Sequence, residues 1–150
     1  MRRSTPMFAA LVLLALCAPL AVPAAPPASA RWPETRAGAL ARGWVGAFGA
    51  GEDSMRAFLT RDMAAASLAE RNVSARLVRY REMRGQYGRF QLEDIVKSEP
   101  AALTVKLLDS QAKSYEAVFV IEGKVPFHLK SVTLRTKAAG GHSLFGGFHH

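Results

Sequence analysis

At Arg89 the hydrophobic pattern changes its period, and the change divides the chain into two kinds of structure. Before Arg89, apolar residues recur every three or four positions; after it, they alternate one by one. A period near 3.6 stacks side chains on one helix face, whereas a period of two puts them on one face of a strand. Helices first and strands afterwards is an α+β pattern.

Leu40, Trp44 and Phe48 fall at i, i+4 and i+8, with Ala37, Ala41 and Ala47 beside them, so a first helix is expected over 31–51. Pro33 suits its first turn. Gly43 and Gly46 inside it cost about 1 kcal/mol each against Ala, so this helix depends on tertiary packing. Glu52 and Asp53 open a second helix with Met55, Phe58, Leu59 and Met63 as its stripe. Ser67-Leu68-Ala69-Glu70 fits a capping box, and Asn72 is a second N-cap candidate. A third helix then runs from Val73 to Tyr87 with Val73, Leu77, Tyr80 and Tyr87 along one face, and Gly88 ends it.

Four strands follow. The first starts at Phe90-Gln91-Leu92, bends near Asp94 and continues through Ile95-Val96. The second is Leu103 to Leu107, the third Tyr115 to Glu122, the fourth Lys130 to Arg135, with turns at 98–101, 109–113 and 123–127. The third is apolar on both faces at its centre, so it is expected to be central, covered by helices on one side and by a partner or a cavity on the other. Short connections favour antiparallel neighbours. The compact solution is a curved antiparallel meander with the N-terminal helices packed on it, wrapping the third helix.

The segment Met1 to Ala30 has the features of a secretory signal: Arg2-Arg3, an apolar run from Ala9 to Leu20 and a small-x-small end at Ala28-Ser29-Ala30. The expected location is therefore periplasmic or extracellular. The apolar run is shorter than the roughly 20 residues that span a bilayer. Residues 31–137 make one α+β domain, and 138–150, rich in Gly and His, have no period and read as a mobile tail. The net charge of +8 falls to +6 once Arg2 and Arg3 leave, and Cys17 leaves with them. A cysteine-free exported chain takes its stability from a packed core, and a chain this long buries roughly two-thirds of its unfolded surface.

Glu52-Asp53-Ser54-Met55-Arg56-Ala57-Phe58-Leu59, then Ser67-Leu68-Ala69-Glu70-Arg71, then Arg76-Leu77-Val78-Arg79-Tyr80-Arg81-Glu82-Met83-Arg84, followed by a glycine and four strands, resembles an exported accessory domain. That domain is found attached to β-lactamase-like serine hydrolases and to some tail-specific-type peptidases. The resemblance covers roughly 40–136 and implies a nuclear-transport-factor-2-like, or SnoaL-like, cone. The hydrolase domain itself is absent. Ser110-Gln111-Ala112-Lys113 matches Ser-x-x-Lys literally, but it falls in an expected turn, and neither Ser-Asp-Asn nor Lys-Thr-Gly accompanies it. The resemblance therefore carries over no catalytic residue.

Other chemistry is sparse. Gly141-His142-Ser143-Leu144-Phe145 has Phe145 where a nucleophile elbow needs glycine. His142, His149 and His150 have no carboxylate to complete a metal site, so neither metal nor cofactor is expected. Asp94, Tyr115 and His128 lie on or near strands and are the candidates for a pocket that does acid-base work, which is the enzymatic alternative. Between Arg31 and Arg89 there are 11 Arg, no Lys and six acids. Arg76, Arg79, Tyr80 and Arg84 form the candidate binding face, because arginine forks suit carboxylates and phosphates. Export and the lack of interleaved exposed aromatics argue against nucleic acid. The expected function is an exported, non-catalytic binding module that presents a cone pocket or a sheet face to a protein partner or a small ligand. Its expected partners are an exported hydrolase or peptidase, a second copy through the sheet, or an anionic envelope surface.

Overall fold

A computed structural model describes residues 30–136. The signal-like segment, Cys17 and the glycine- and histidine-rich tail lie outside the described residues. Four helices precede four strands: α1 (Arg36–Ala50), α2 (Glu52–Asp62), α3 (Ala65–Glu70), α4 (Val73–Tyr87), β1 (Gln91–Glu99), β2 (Ala102–Leu108), β3 (Ser114–Ile121) and β4 (Leu129–Arg135). The strands form one open antiparallel sheet in the order β1-β2-β3-β4. The α+β expectation is met at this level.

Helix ends follow local chemistry. Thr35 is extended and its Oγ1 accepts from the Gly38 N–H at 3.0 Å, so α1 starts at Arg36 rather than near Pro33. Gly51, at φ 134°, turns the chain between α1 and α2 in a conformation that L side chains rarely adopt. Ser67 does not cap a helix. It lies inside the short α3, an element the sequence did not separate, and its hydroxyl donates to the Lys130 carbonyl at 2.9 Å. Asn72 is the working N-cap, its side-chain oxygen accepting from the Ala75 N–H. The span expected for the third helix, Val73 to Tyr87, is that of α4.

The sheet receives α1, not α4. Trp44 meets Phe119 of β3 edge to face at 5.7 Å and stands 6.1 Å from Phe90. Phe48 lies 4.8 Å from Phe90 and 5.3 Å from Tyr80. Leu40, Ala41, Trp44 and Phe48 are all buried, and the small residues beside them let α1 sit close to its neighbours. α4 lies at the periphery, with Val78, Arg81 and Glu82 exposed. It packs on α1 and α2 through Leu77, Tyr80 and Met83. The inner sheet face closes the core with Leu103, Val105, Leu107, Ala117, Phe119 and Val132.

β1 shows the expected bend. Its register against β2 shifts between Leu92 and Asp94 and again between Ile95 and Lys97. Such bulges blunt an edge strand against unwanted pairing.

Candidate functional site

The four candidate residues on α4 mostly serve the fold. Arg76 is only 2% exposed. Its Nε donates to the Arg71 carbonyl at 2.8 Å and one Nη to the Ser67 carbonyl at 2.6 Å, which ties α3 to α4. Burial lowers its pKa, with help from nearby Arg71. The last carbonyls of a helix have no partner inside it. At the C-terminus of α1, α4 supplies those partners. Tyr80 Oη donates to the Phe48 carbonyl at 2.9 Å, and Arg84 donates to the Gly49 carbonyl at 3.3 Å. Arg84 also donates to the Gly88 carbonyl. α1 has no basic residue in its own last turn, and the Arg84 guanidinium places a cation there. Arg79 pairs with Glu82 at 2.8 Å, and Arg81 pairs with Glu52 of α2. The arginine-rich face is thus largely matched within the chain.

The three pocket candidates do not converge. Asp94 is exposed on β1, its side-chain oxygen bonded to the following Ile95 N–H. Tyr115 points the other way, into the core at the start of β3, where it meets Tyr87 edge to face at 5.0 Å. His128 lies just before β4, its backbone N–H bonded to Glu122 Oε1 at 3.0 Å and its Nδ1 3.8 Å from the same oxygen. Along β3 this is roughly 23 Å from Tyr115, at about 3.3 Å per residue over seven residues.

Tyr115 is not poised as a base. Burial first, then hydrogen bonding to the Asp109 carboxylate, pushes its pKa up to about 12. Asp109 anchors the β2–β3 turn: Oδ1 accepts from the Gln111 N–H at 2.8 Å and the Lys113 N–H at 3.0 Å. Its pKa is lowered although desolvation acts the other way, because these bonds favour the charged form. The Ser-x-x-Lys match falls in the same turn. Ser110 Oγ accepts from the Arg89 N–H at 2.8 Å, and its N–H donates to the Tyr87 carbonyl. Lys113 Nζ stands 5.5 Å above the Tyr115 ring. Ser110 closes the join between α4 and the sheet, whereas Lys113 stays with its own turn and β3. Among the described residues, no group of three or more His, Cys, Asp or Glu is placed to hold a metal. No described helix is long and apolar enough to cross a membrane.

The interior between α1 and the sheet is occupied by Trp44, Phe48, Phe90 and Phe119, so it offers no aromatic-lined hollow at the centre. What the described helices leave bare is the other face of the sheet. Its rows follow from the strand register. Lys97, Thr104, Val118 and Thr133 lie side by side across β1 to β4, and so do Asp94, Lys106, Glu116 and Arg135. Thr104, Val118, Val120 and Thr133 are half-buried, although no described element lies over them. Charge runs along one row of this face and its middle is uncharged. Of these residues the sequence singled out Asp94 alone, and for a pocket rather than for this face. Their signal was the third strand being apolar on both faces, which puts Val118 and Val120 on the bare side.

Comparison of the chain with protein-family models, with curated proteins and with solved structures gives no match.

Proposed function

We propose that this chain is an exported, non-catalytic binding module whose working surface is the outer face of its sheet, presented to a protein partner. One observation carries the reading. The helices fill the inner side with ring on ring, while the opposite face keeps half-exposed Val118 and Val120 amid Thr104 and Thr133. A contiguous apolar and hydroxyl surface bordered by charge is the composition of a protein–protein interface, with a dry middle and a polar rim. Helices followed by a four-stranded meander also support kinship with the nuclear-transport-factor-2-like accessory domains, in which case the partner is an exported hydrolase or peptidase. The scatter of Asp94, Tyr115 and His128 supports the binding reading over the enzymatic alternative.

The test is capture of envelope proteins by the purified chain, comparing Val118→Glu with Val78→Glu. Val78 is 53% exposed on α4 and serves as the control on the helical side. The reading expects the Val118 substitution to abolish capture and the Val78 substitution to leave it intact. The reverse pattern overturns it.

A further inference from the structure

The chain enters its fold beside an open cleft. Residues 30–35 run along the start of α1, and the hollow there measures about 930 Å³. That lies within the roughly 300–1,000 Å³ of small-ligand sites. Its wall is fixed by packing. Gly38 lets the incoming segment lie against the helix, since a Cβ there would come within 2.0 Å of the Pro33 carbonyl oxygen. Thr35 Oγ1 accepts from the Gly38 N–H at 3.0 Å, and half-buried Trp32 packs on the core. No strand residue lines the cleft, so it is separate from the outer sheet face.

The groups around it are largely unpaired. Arg31, Arg36 and Arg42 all line the cleft and are exposed. Among the described residues, Arg31 and Arg42 have no acidic partner. Arg36 has only Asp62, 4.0 Å away, which Arg61 already holds at 2.8 Å. Glu34, also exposed in the cleft, is paired with no described cation. Trp32 meets no other described ring, in contrast to Trp44, which stands among Phe48, Phe90 and Phe119.

This combination selects a ligand class by elimination. An apolar molecule leaves three guanidinium groups without acceptors. Phosphate or sulfate suits the arginines but is repelled by Glu34 and leaves the indole face unused. A neutral sugar can stack on Trp32 and donate hydroxyls to Glu34, yet offers the arginines no charge. A carboxylated sugar satisfies all three kinds of group. Its carboxylate accepts from the arginine forks, its hydroxyls donate to Glu34, and the C–H face of its ring lies on the electron-rich indole. We propose that this cleft is a binding site for an acidic saccharide, a short chain of carboxylated sugars. Arg36 and Arg42 are rooted about 9 Å apart along α1, at about 1.5 Å per residue, which suits carboxylates on more than one sugar unit.

The experiment is isothermal titration calorimetry of the full chain with trigalacturonate, and with maltotriose as the uncharged comparison. Saturable binding of trigalacturonate is expected, with maltotriose at least roughly tenfold weaker. Replacing Arg31 and Arg42 together by Gln is expected to weaken binding by roughly tenfold or more. Both side chains are exposed, so the fold should survive, and circular dichroism verifies it. Lys124→Gln, an equally exposed cation in the β3–β4 turn, is expected to leave binding unchanged. Tryptophan fluorescence supplies a second readout: a change on binding that disappears in Trp32→Phe, with buried Trp44 as the constant background. Absence of trigalacturonate binding overturns the proposal, and so does equal affinity for maltotriose. Displacement by equimolar inorganic phosphate would mark a simple anion site and overturn the saccharide assignment. Equal weakening by Lys124→Gln would show attraction to net charge alone, and would overturn the cleft.

Discussion

Replacing Tyr80 by Phe isolates one hydrogen bond on which the helical layer depends. Tyr80 is 2% exposed, its Oη lies 2.9 Å from the Phe48 carbonyl, and its ring meets Phe48 edge to face at 5.3 Å. The substitution keeps the ring contact and removes only the hydroxyl. A neutral buried bond contributes a net of about 1 kcal/mol, and an acceptor left buried without a partner adds about 1–3 kcal/mol. The Phe48 carbonyl belongs to the last turn of α1, where no helical N–H reaches it, and the surrounding rings keep water out. Tyr80→Phe is therefore expected to lower unfolding free energy by about 1.5–3 kcal/mol. Urea denaturation followed by circular dichroism measures it, with an m-value unchanged from the parent. A loss below about 0.5 kcal/mol would refute the claim that α4 completes the C-terminus of α1, because that is the scatter of surface substitutions without a structural role.

Three further outcomes follow from the same geometry. Arg76→Met leaves the Ser67 and Arg71 carbonyls without the guanidinium they now accept from, and should cost about 2–4 kcal/mol by denaturation; an unchanged midpoint would show that α3 does not need this tie. Gly88→Ala forces a side chain into φ 73° and puts its Cβ 2.2 Å from Ser110 Oγ, so a loss of about 2 kcal/mol or more is expected. Ser110→Ala on that background should recover only part of it, since the backbone strain remains. In an ultraviolet phenolate titration, one tyrosine should ionise near pH 12 and disappear in Tyr115→Phe. The folded pKa lies above the ordinary 10, so the associated stability is complete below pH 10 and is lost as pH rises from 10 to about 12; stability that is flat across that window would contradict the burial of the phenol and its bond to Asp109.

The helices and strands were legible because their signals are local. The change of period at Arg89, the glycine at 88 and the Asn72 cap each fix a boundary without reference to the rest of the chain. The bend in β1 announced itself through the broken alternation at Glu93-Asp94. What failed were inferences about which helix faces the sheet. α1 and α4 are both 15 residues long, and periodicity gives each an apolar stripe. Only the neighbouring residues distinguish them: alanines and glycines around α1 allow close approach on several sides, whereas α4 keeps an exposed side at Val78, Arg81 and Glu82. The capping-box pattern at Ser67 misled because it specifies local geometry, while a bond to Lys130, 63 residues away, claimed the hydroxyl.

The candidate site was legible only in outline. Arg76 and Tyr80 read as surface recognition residues because sequence gives their chemistry and not their burial. The orphaned carbonyls that both Tyr80 and Arg84 satisfy exist only once α1 ends against α4. The charged row was invisible for a similar reason. Asp94, Lys106, Glu116 and Arg135 are separated by 12, 10 and 19 positions and become neighbours only through the register.

The central claim is that the outer sheet face is the working surface. Site-specific photo-crosslinking in intact cells tests it most directly, with the crosslinking residue placed in turn at Val118 and Thr133 on that face and at Ala57 and Val78 on the exposed helical side. The account predicts discrete protein adducts from Val118 and Thr133 and none from Ala57 and Val78. Adducts confined to Ala57 and Val78, with the sheet positions silent, would contradict it.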